Sequence, residues 1–203
     1  MRIIGITGPS GAGKSCLSDF LRKKNIPVVD ADETYHSLLV PPSACLDAIR
    51  EAFGDGVILS DGSLDRKALS AEVFGDGEKL KLLNTTVLGF VLDRVREIFS
   101  EYEREGRTLV AVDAPTLIES GFYAECDVVI SVLAPKETRI SRIVARDGIT
   151  EDAARARVYA QREDSYYTER SHITVENNGS EREFEEKCEQ IYSALNGLDR
   201  DEG

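Results

Sequence analysis

The chain has 203 residues, 41% hydrophobic and 31% charged, and carries a formal net charge of −12. That length holds one large α/β domain, or a core domain with a small insertion, at an ordinary globular composition. The acidic balance argues against nucleic acid or an anionic membrane as partner, since both need broad basic surface. No apolar run is long enough to span a bilayer, and Met1 to Gly8 is too short for a signal peptide. Cys16, Cys45, Cys126 and Cys188 are scattered, with no C-x-x-C pair, and His36 and His172 stand far apart. Reduced thiols in a cytoplasmic protein are expected, and no zinc pattern exists.

Ile3 to Ile6 reads as a short buried strand, and Cys16 to Lys24 as a helix with Leu17, Phe20 and Leu21 at helical spacing. Between them lies Gly8-Pro9-Ser10-Gly11-Ala12-Gly13-Lys14-Ser15, which fits the P-loop pattern G-x-x-x-x-G-K-[ST]. Glycines let successive backbone N–H groups face inward as an anion nest, and the following helix adds the positive end of its dipole. Pro9 has no N–H, so the cradle rests on the amides from Gly11 to Cys16. Lys14 reaches the β/γ-phosphates of a bound nucleotide, and the Ser15 hydroxyl ligates Mg²⁺. Gly8, Ser10, Gly11, Ala12, Gly13, Lys14, Ser15 and Cys16 are the expected nucleotide-binding residues. A flexible glycine turn before an ordinary helix is the plainer alternative, and the strand–loop–helix context speaks against it.

Val28-Val29 begins a second strand that ends in Asp30-Ala31-Asp32. Carboxylates at the carboxyl end of a parallel strand sit where ligands bind in open α/β folds; alternatively Asp32 simply caps the next helix. Helices are expected over 44–53, 65–74 and, as the longest periodic stretch, 78–104. The last carries a stripe of Leu82, Leu83, Val87, Phe90, Val91, Val95, Ile98 and Phe99, weakened locally by Thr85-Thr86 and Gly89. Residues 55–105 thus read as a helical insertion.

Thr108 to Asp113 is a buried strand ending in an acid. Asp113 either assists Mg²⁺ through water, or serves as a cap or in a local hydrogen bond. A loop with a short helix follows over 114–121, then a strand over 127–133. From Lys136 the chain is helical and basic, with Arg139, Arg142 and Arg146, then Arg155, Arg157, Gln161 and Arg162. Arg142 and Arg146 share a helix face. Either this is a solvated surface laced with ion pairs, or it is an arginine lid that neutralises a transferring phosphoryl group. The arginine cluster in an acidic chain favours the lid. A final strand over 172–176 meets the turn Asn177-Asn178-Gly179. Ser180 with Glu183 forms a capping box for the last helix, and Gly197 to Gly203 is a polar tail. Strands alternating with helices give a parallel sheet covered on both faces.

These pieces together resemble the dephospho-coenzyme A kinase family, of the P-loop nucleoside-monophosphate-kinase-like group. The likeness runs over nearly the whole chain. It is carried by Ile6-Thr7-Gly8 through Ser15, Val29-Asp30-Ala31-Asp32, and Asp61-Gly62-Ser63-Leu64-Asp65-Arg66 with Leu69 and Val73-Phe74. Leu83-Asn84, Asp113-Ala114-Pro115, Glu119-Ser120-Gly121, Arg142, Arg146-Asp147-Gly148-Ile149, Arg157 with Gln161, and Asn177-Asn178-Gly179 continue it. The resemblance implies a three-layer α/β/α P-loop fold with a five-stranded parallel sheet. It implies a core (1–54, 106–135, 170–203), a helical acceptor-binding insertion (55–105) and an arginine lid (136–169). It implies transfer of the ATP γ-phosphate to the ribose 3′-hydroxyl of dephospho-CoA with Mg²⁺. Asp32 would accept the hydroxyl proton, Arg142 and Arg146 would clamp from the lid, and Asn177 would lie near the adenine. A monomer or weak homo-oligomer is expected.

The chain departs from the family habit at Gly8-Pro9 (usually Gly-Gly), Cys16 (commonly Thr) and Leu88-Gly89 (typically His-Pro). It departs again at Tyr167 and His172, where Lys and Asp are usual. Two other readings remain open: a P-loop kinase for another nucleotide or small metabolite, and a nucleotide-binding regulator without turnover.

Overall fold

The computed structural model describes residues 1–197; residues 198–203 of the expected polar tail lie outside the described residues. The chain opens with β1 (Arg2–Thr7), α1 (Lys14–Lys23) and β2 (Val28–Asp30). Four helices follow: α2 (Ala31–Leu38), α3 (Ala44–Phe53), α4 (Arg66–Val73) and α5 (Gly77–Arg104), with a 3₁₀ turn at Asp55–Val57. Then come β3 (Leu109–Asp113), a 3₁₀ turn at Phe122–Glu125, β4 (Val128–Leu133), α6 (Lys136–Asp147) and α7 (Glu151–Tyr159). The chain continues through α8 (Asp164–Thr168) and β5 (Ile173–Glu176), and α9 (Glu181–Gly197) closes it. The sequence did not foretell α8, which is five residues long and too short to show a period. The expected short helix over 114–121 is a run of turns instead.

The strands form one five-stranded sheet in the order β2-β3-β1-β4-β5. β1 runs parallel to β3 and β4, and β4 parallel to β5. The chain divides into two compact units, one of Met1–Val28 with the described residues from Arg107 onward, the other Val29–Gly106.

In the first unit, β1, β3 and β4 are buried along most of their length, as central strands with helices on both faces must be. Ile4, Ile6, Ala111, Ile130 and Val132 share one core with Leu17, Phe20 and Leu21 of α1 and Phe184, Cys188 and Ile191 of α9. Their period of two leaves Gly5 facing the other side, where a Cβ would lie 2.6 Å from Leu117. On that side Tyr167 of α8 packs with Ile118 and Leu133. Helices α6 and α7 bury Ile140, Ile143, Ala154 and Val158 against each other. The strands end together at one edge, with Ile6 level with Asp113, Thr7 with Ser131, and Leu133 with Glu176. In open α/β sheets that carboxyl edge is where ligands bind.

In the second unit, Asp30, Ser43, Asp65 and Asp76 each accept two first-turn N–H groups and so start α2, α3, α4 and α5. On α5 the buried residues are Val87, Val91, Val95 and Phe99, spaced by four. Leu82, expected in that stripe, is 47% exposed, because the covered face begins a turn later. Thr85-Thr86 and Gly89 do not interrupt the helix; the Thr85 hydroxyl donates back to the Lys81 carbonyl at 2.9 Å.

Candidate active site

The glycine-rich loop fits because two of its glycines admit close approach. Gly8 has φ +131°, and a Cβ there would lie 2.2 Å from the Val132 carbonyl oxygen. Gly13 has φ +100°, and a Cβ there would lie 2.2 Å from Asn177 Nδ2. Gly13 precedes α1 in a left-handed conformation and offers no side-chain cap. The first-turn amides of α1 are therefore not satisfied by a cap, the arrangement that suits an anion. Two amides of the expected cradle turn to the loop itself: Ala12 N–H donates to Pro9 O at 3.2 Å and Cys16 N–H to Gly13 O at 3.1 Å. Lys14 crosses the loop, its Nζ 2.8 Å from Gly8 O.

The outward carbonyls of the loop are gripped from α6. Arg142 Nη1 donates to Ala12 O at 3.2 Å and to Gly11 O at 3.4 Å. Its Nη2 donates to Asn177 Oδ1 at 3.1 Å, and Asn177 Nδ2 donates to the same Ala12 O at 2.9 Å. Asn177 is 5% exposed, with its side-chain amide committed at both ends. Arg139 Nε donates to Ser10 O at 3.1 Å and its Nη2 to Gln161 Oε1.

Arg146 lies one turn beyond Arg142 and behaves differently. Its guanidinium binds Asp147 at 2.6 and 3.1 Å, and Arg157 donates to the same carboxylate. The Arg146 guanidinium first, then Arg157, holds the Asp147 carboxyl down at about 2. Arg155 binds Glu137 and Glu151. The two sequence readings of this segment thus divide by residue: Arg139 and Arg142 reach the glycine-rich loop, Arg155 and Arg157 stitch α7 to α6, and Arg146 pairs with its neighbour Asp147 within α6.

Asp113 ends β3, nearly buried, and its Oδ2 accepts the Ser18 hydroxyl at 2.6 Å. Ser18 also lies 3.2 Å from Lys14 O, so the first turn of α1 is tied to β3. Ser15 is exposed on that turn. A serine hydroxyl and a carboxylate are hard oxygen donors, a set that fits Mg²⁺ when substrate phosphates complete the shell.

In the helical unit, Asp30 rather than Asp32 caps α2, accepting from Asp32 N–H at 2.8 Å and Glu33 N–H at 3.0 Å. Asp32 is exposed in the first turn, and the capping alternative for it falls away. Arg66 Nη2 lies 3.2 Å from His36 Nδ1. Burial pushes the neighbouring Tyr35 hydroxyl up, and the Arg66 charge opposes that. Ser18 and the grip of Arg139 escaped the sequence reading, and Arg66 entered it only within the Asp61 to Arg66 motif, without a role. For Arg66 a signal existed: a cation at the first position of a helix opposes the dipole and asks for another reason to be there. For Ser18 and Arg139 helical spacing gives a face but not what lies opposite it.

Comparison with known proteins follows the same direction. A family profile described as dephospho-CoA kinase matches residues 2–183. A protein named dephospho-CoA kinase from Shouchella clausii is 36% identical over 192 residues, 95% of this chain and 96% of that protein. One of the same name from Geobacter sulfurreducens is 33% identical, covering 95% and 98%. The solved structure of TT1252 from Thermus thermophilus is 32% identical at a TM-score of 0.77, covering 97% of each chain. A shikimate kinase from Acinetobacter baumannii, 19% identical with a TM-score of 0.52 over 96% of this chain and 94% of its own, shares the fold.

Proposed function

This chain belongs to the dephospho-CoA kinase family, and from that premise we propose that it phosphorylates the ribose 3′-hydroxyl of dephospho-CoA with ATP to give coenzyme A. The observation that carries the reading is the family match over residues 2–183, laid on a phosphate loop gripped from α6 by Arg142. In this reaction the hydroxyl oxygen forms a bond to the γ-phosphorus as the bond to the β–γ bridging oxygen breaks. ADP departs, and the hydroxyl proton passes to Asp32. The transition state of phosphoryl transfer is loose, so Asp32 acts more by orienting the hydroxyl than by basicity.

Lys14 and the loop amides bind the phosphates in this reading, and Arg142, held on the outward loop carbonyls, adds a positive charge behind them. Asn177 ties Arg142 to the loop. Ser15 and Asp113 would hold Mg²⁺, which neutralises phosphate charge when bound. Arg146 takes part by holding the α6–α7 turn. The insertion over 55–105 serves the acceptor and the segment over 136–169 serves as the lid. The four cysteines are free thiols, which supports a place in the reducing cytoplasm.

The test is turnover: purified protein with ATP and Mg²⁺, offered dephospho-CoA beside AMP, UMP and nucleosides, with products read by mass. Coenzyme A is the expected product; phosphorylation of a different acceptor alone rejects the reading. Asp32→Asn is expected to lower kcat about a hundredfold or more and to spare ATP affinity. Retention of full turnover in that variant removes Asp32 from the mechanism.

A further inference from the structure

The transfer as described leaves one buried cation unused. Arg139 is 1% exposed, and both its hydrogen-bond partners, Ser10 O and Gln161 Oε1, are neutral. Burial lowers its affinity for its proton, and the charges of Asp164, Tyr167 and Glu163 work the other way. A buried charge with no carboxylate in contact is costly, and an apolar side chain would fill the space with less penalty. Such a group needs a compensating role.

Peptide geometry supplies one. A trans peptide is planar, with its C=O and N–H pointing in opposite directions. Arg139 holds Ser10 C=O toward α6, so the N–H of the same peptide, that of Gly11, points away from α6 into the loop. Arg142 and Asn177 hold Ala12 C=O in the same way, which aims Gly13 N–H inward. The loop lies close on α6 here, since a Cβ on Gly11 would sit 2.8 Å from Arg139 O. We propose that Arg139, locked by Gln161, is a positioning residue of the phosphate loop that aims the Gly11 amide at the nucleotide's phosphates and adds a fixed positive charge behind it. The proposal rests on the loop being the ATP site, and deepens that reading without depending on which acceptor is phosphorylated.

The experiment compares equilibrium binding of ATP and of AMP to the wild type, Arg139→Met, Arg139→Lys and Gln161→Leu, with melting curves to establish folding. Arg139→Met is expected to weaken ATP about tenfold or more, to lower the ATP-to-AMP affinity ratio, and to raise KM for ATP while leaving the acceptor KM unchanged. Gln161→Leu should move the same way by less. Arg139→Lys should recover part of the loss, since it keeps the charge without the two-point grip. The double variant Arg139→Met with Gln161→Leu should bind ATP as Arg139→Met does, because the two act as a unit. ATP affinity within twofold of wild type in folded Arg139→Met overturns the proposal, as does equal weakening of ATP and AMP. If Arg139→Met fails to fold, unchanged ATP affinity in Gln161→Leu overturns it. If the binding effects appear but the wild type makes no coenzyme A, the acceptor assignment falls and the role of Arg139 stands.

Discussion

Thr7 is fully buried where β1 meets the loop, and its Oγ1 has no hydrogen-bond partner among the described residues. A hydroxyl left unsatisfied in a protein interior is a standing cost. Thr7→Val keeps the branched shape, so stability should be unchanged or rise by about 1 kcal/mol, with ATP affinity unaltered. A lowered denaturant midpoint would show that the hydroxyl has a use.

His172 shows the opposite economy. Its Nδ1 accepts Val129 N–H at 2.9 Å, while its own N–H donates to Val129 O at 2.9 Å. Asp127 does the same work one strand over, taking Ile3 N–H at 2.7 Å. The departure from the family's Asp at this position therefore preserves the acceptor. His172→Ala should cost about 1–3 kcal/mol by stranding that N–H, and His172→Asn should recover most of it. Equal losses in the two variants would rule out the hydrogen bond as the cause. From sequence His172 stood out only as a departure from the family's Asp, since its partner is set by how β5 lies against β4.

At the level of elements, the devices most legible in sequence are local. The capping box of α9 is present as spaced, with Ser180 N–H donating to Glu183 Oε2 at 2.7 Å and Glu183 N–H to Ser180 Oγ at 3.3 Å. The α6–α7 hairpin was legible as two helices parted by a turn from Asp147 to Thr150, but its ion pairs were not. Its turn depends on Asp147, whose carboxyl is held at about 2 by Arg146 and Arg157. A depressed carboxyl favours the native turn fully above the unfolded carboxyl range near pH 4. That contribution is lost as pH falls through about 2. An NMR titration of Asp147 should show a midpoint near 2 in wild type, moving toward the ordinary range in Arg157→Gln. A wild-type midpoint near 4 would mean that these pairs are not formed in solution, as happens with many exposed ion pairs.

For the whole molecule, a net charge of −12 opposes an anionic ligand, and the loop answers locally with Lys14, Arg139 and Arg142. Binding that favours the folded state must raise its stability. ATP with Mg²⁺ at about a hundred times its Kd should add about 2.7 kcal/mol. For a chain of this size that is roughly 5–10 °C in Tm. No shift at that saturation would contradict nucleotide binding by this loop.

The sequence by itself determined the glycine-rich loop, the alternation of strands and helices, the capping box of α9 and the family. All of these are written in neighbouring residues, where spacing and side-chain chemistry act without help from distant chain. Only the tertiary structure decided which arginines serve the loop and which stitch the hairpin, that Asp30 rather than Asp32 caps α2, and that Ser18 is a hydrogen-bond partner of Asp113. Arg139, Arg142 and Arg146 are chemically alike and regularly spaced. Their work differs because α6 lays the first two against the carbonyls of Ser10, Gly11 and Ala12, more than a hundred residues earlier in the chain, and turns the third toward Asp147. A hydrogen bond depends on the position of both its ends, and for these residues the second end is supplied by folding.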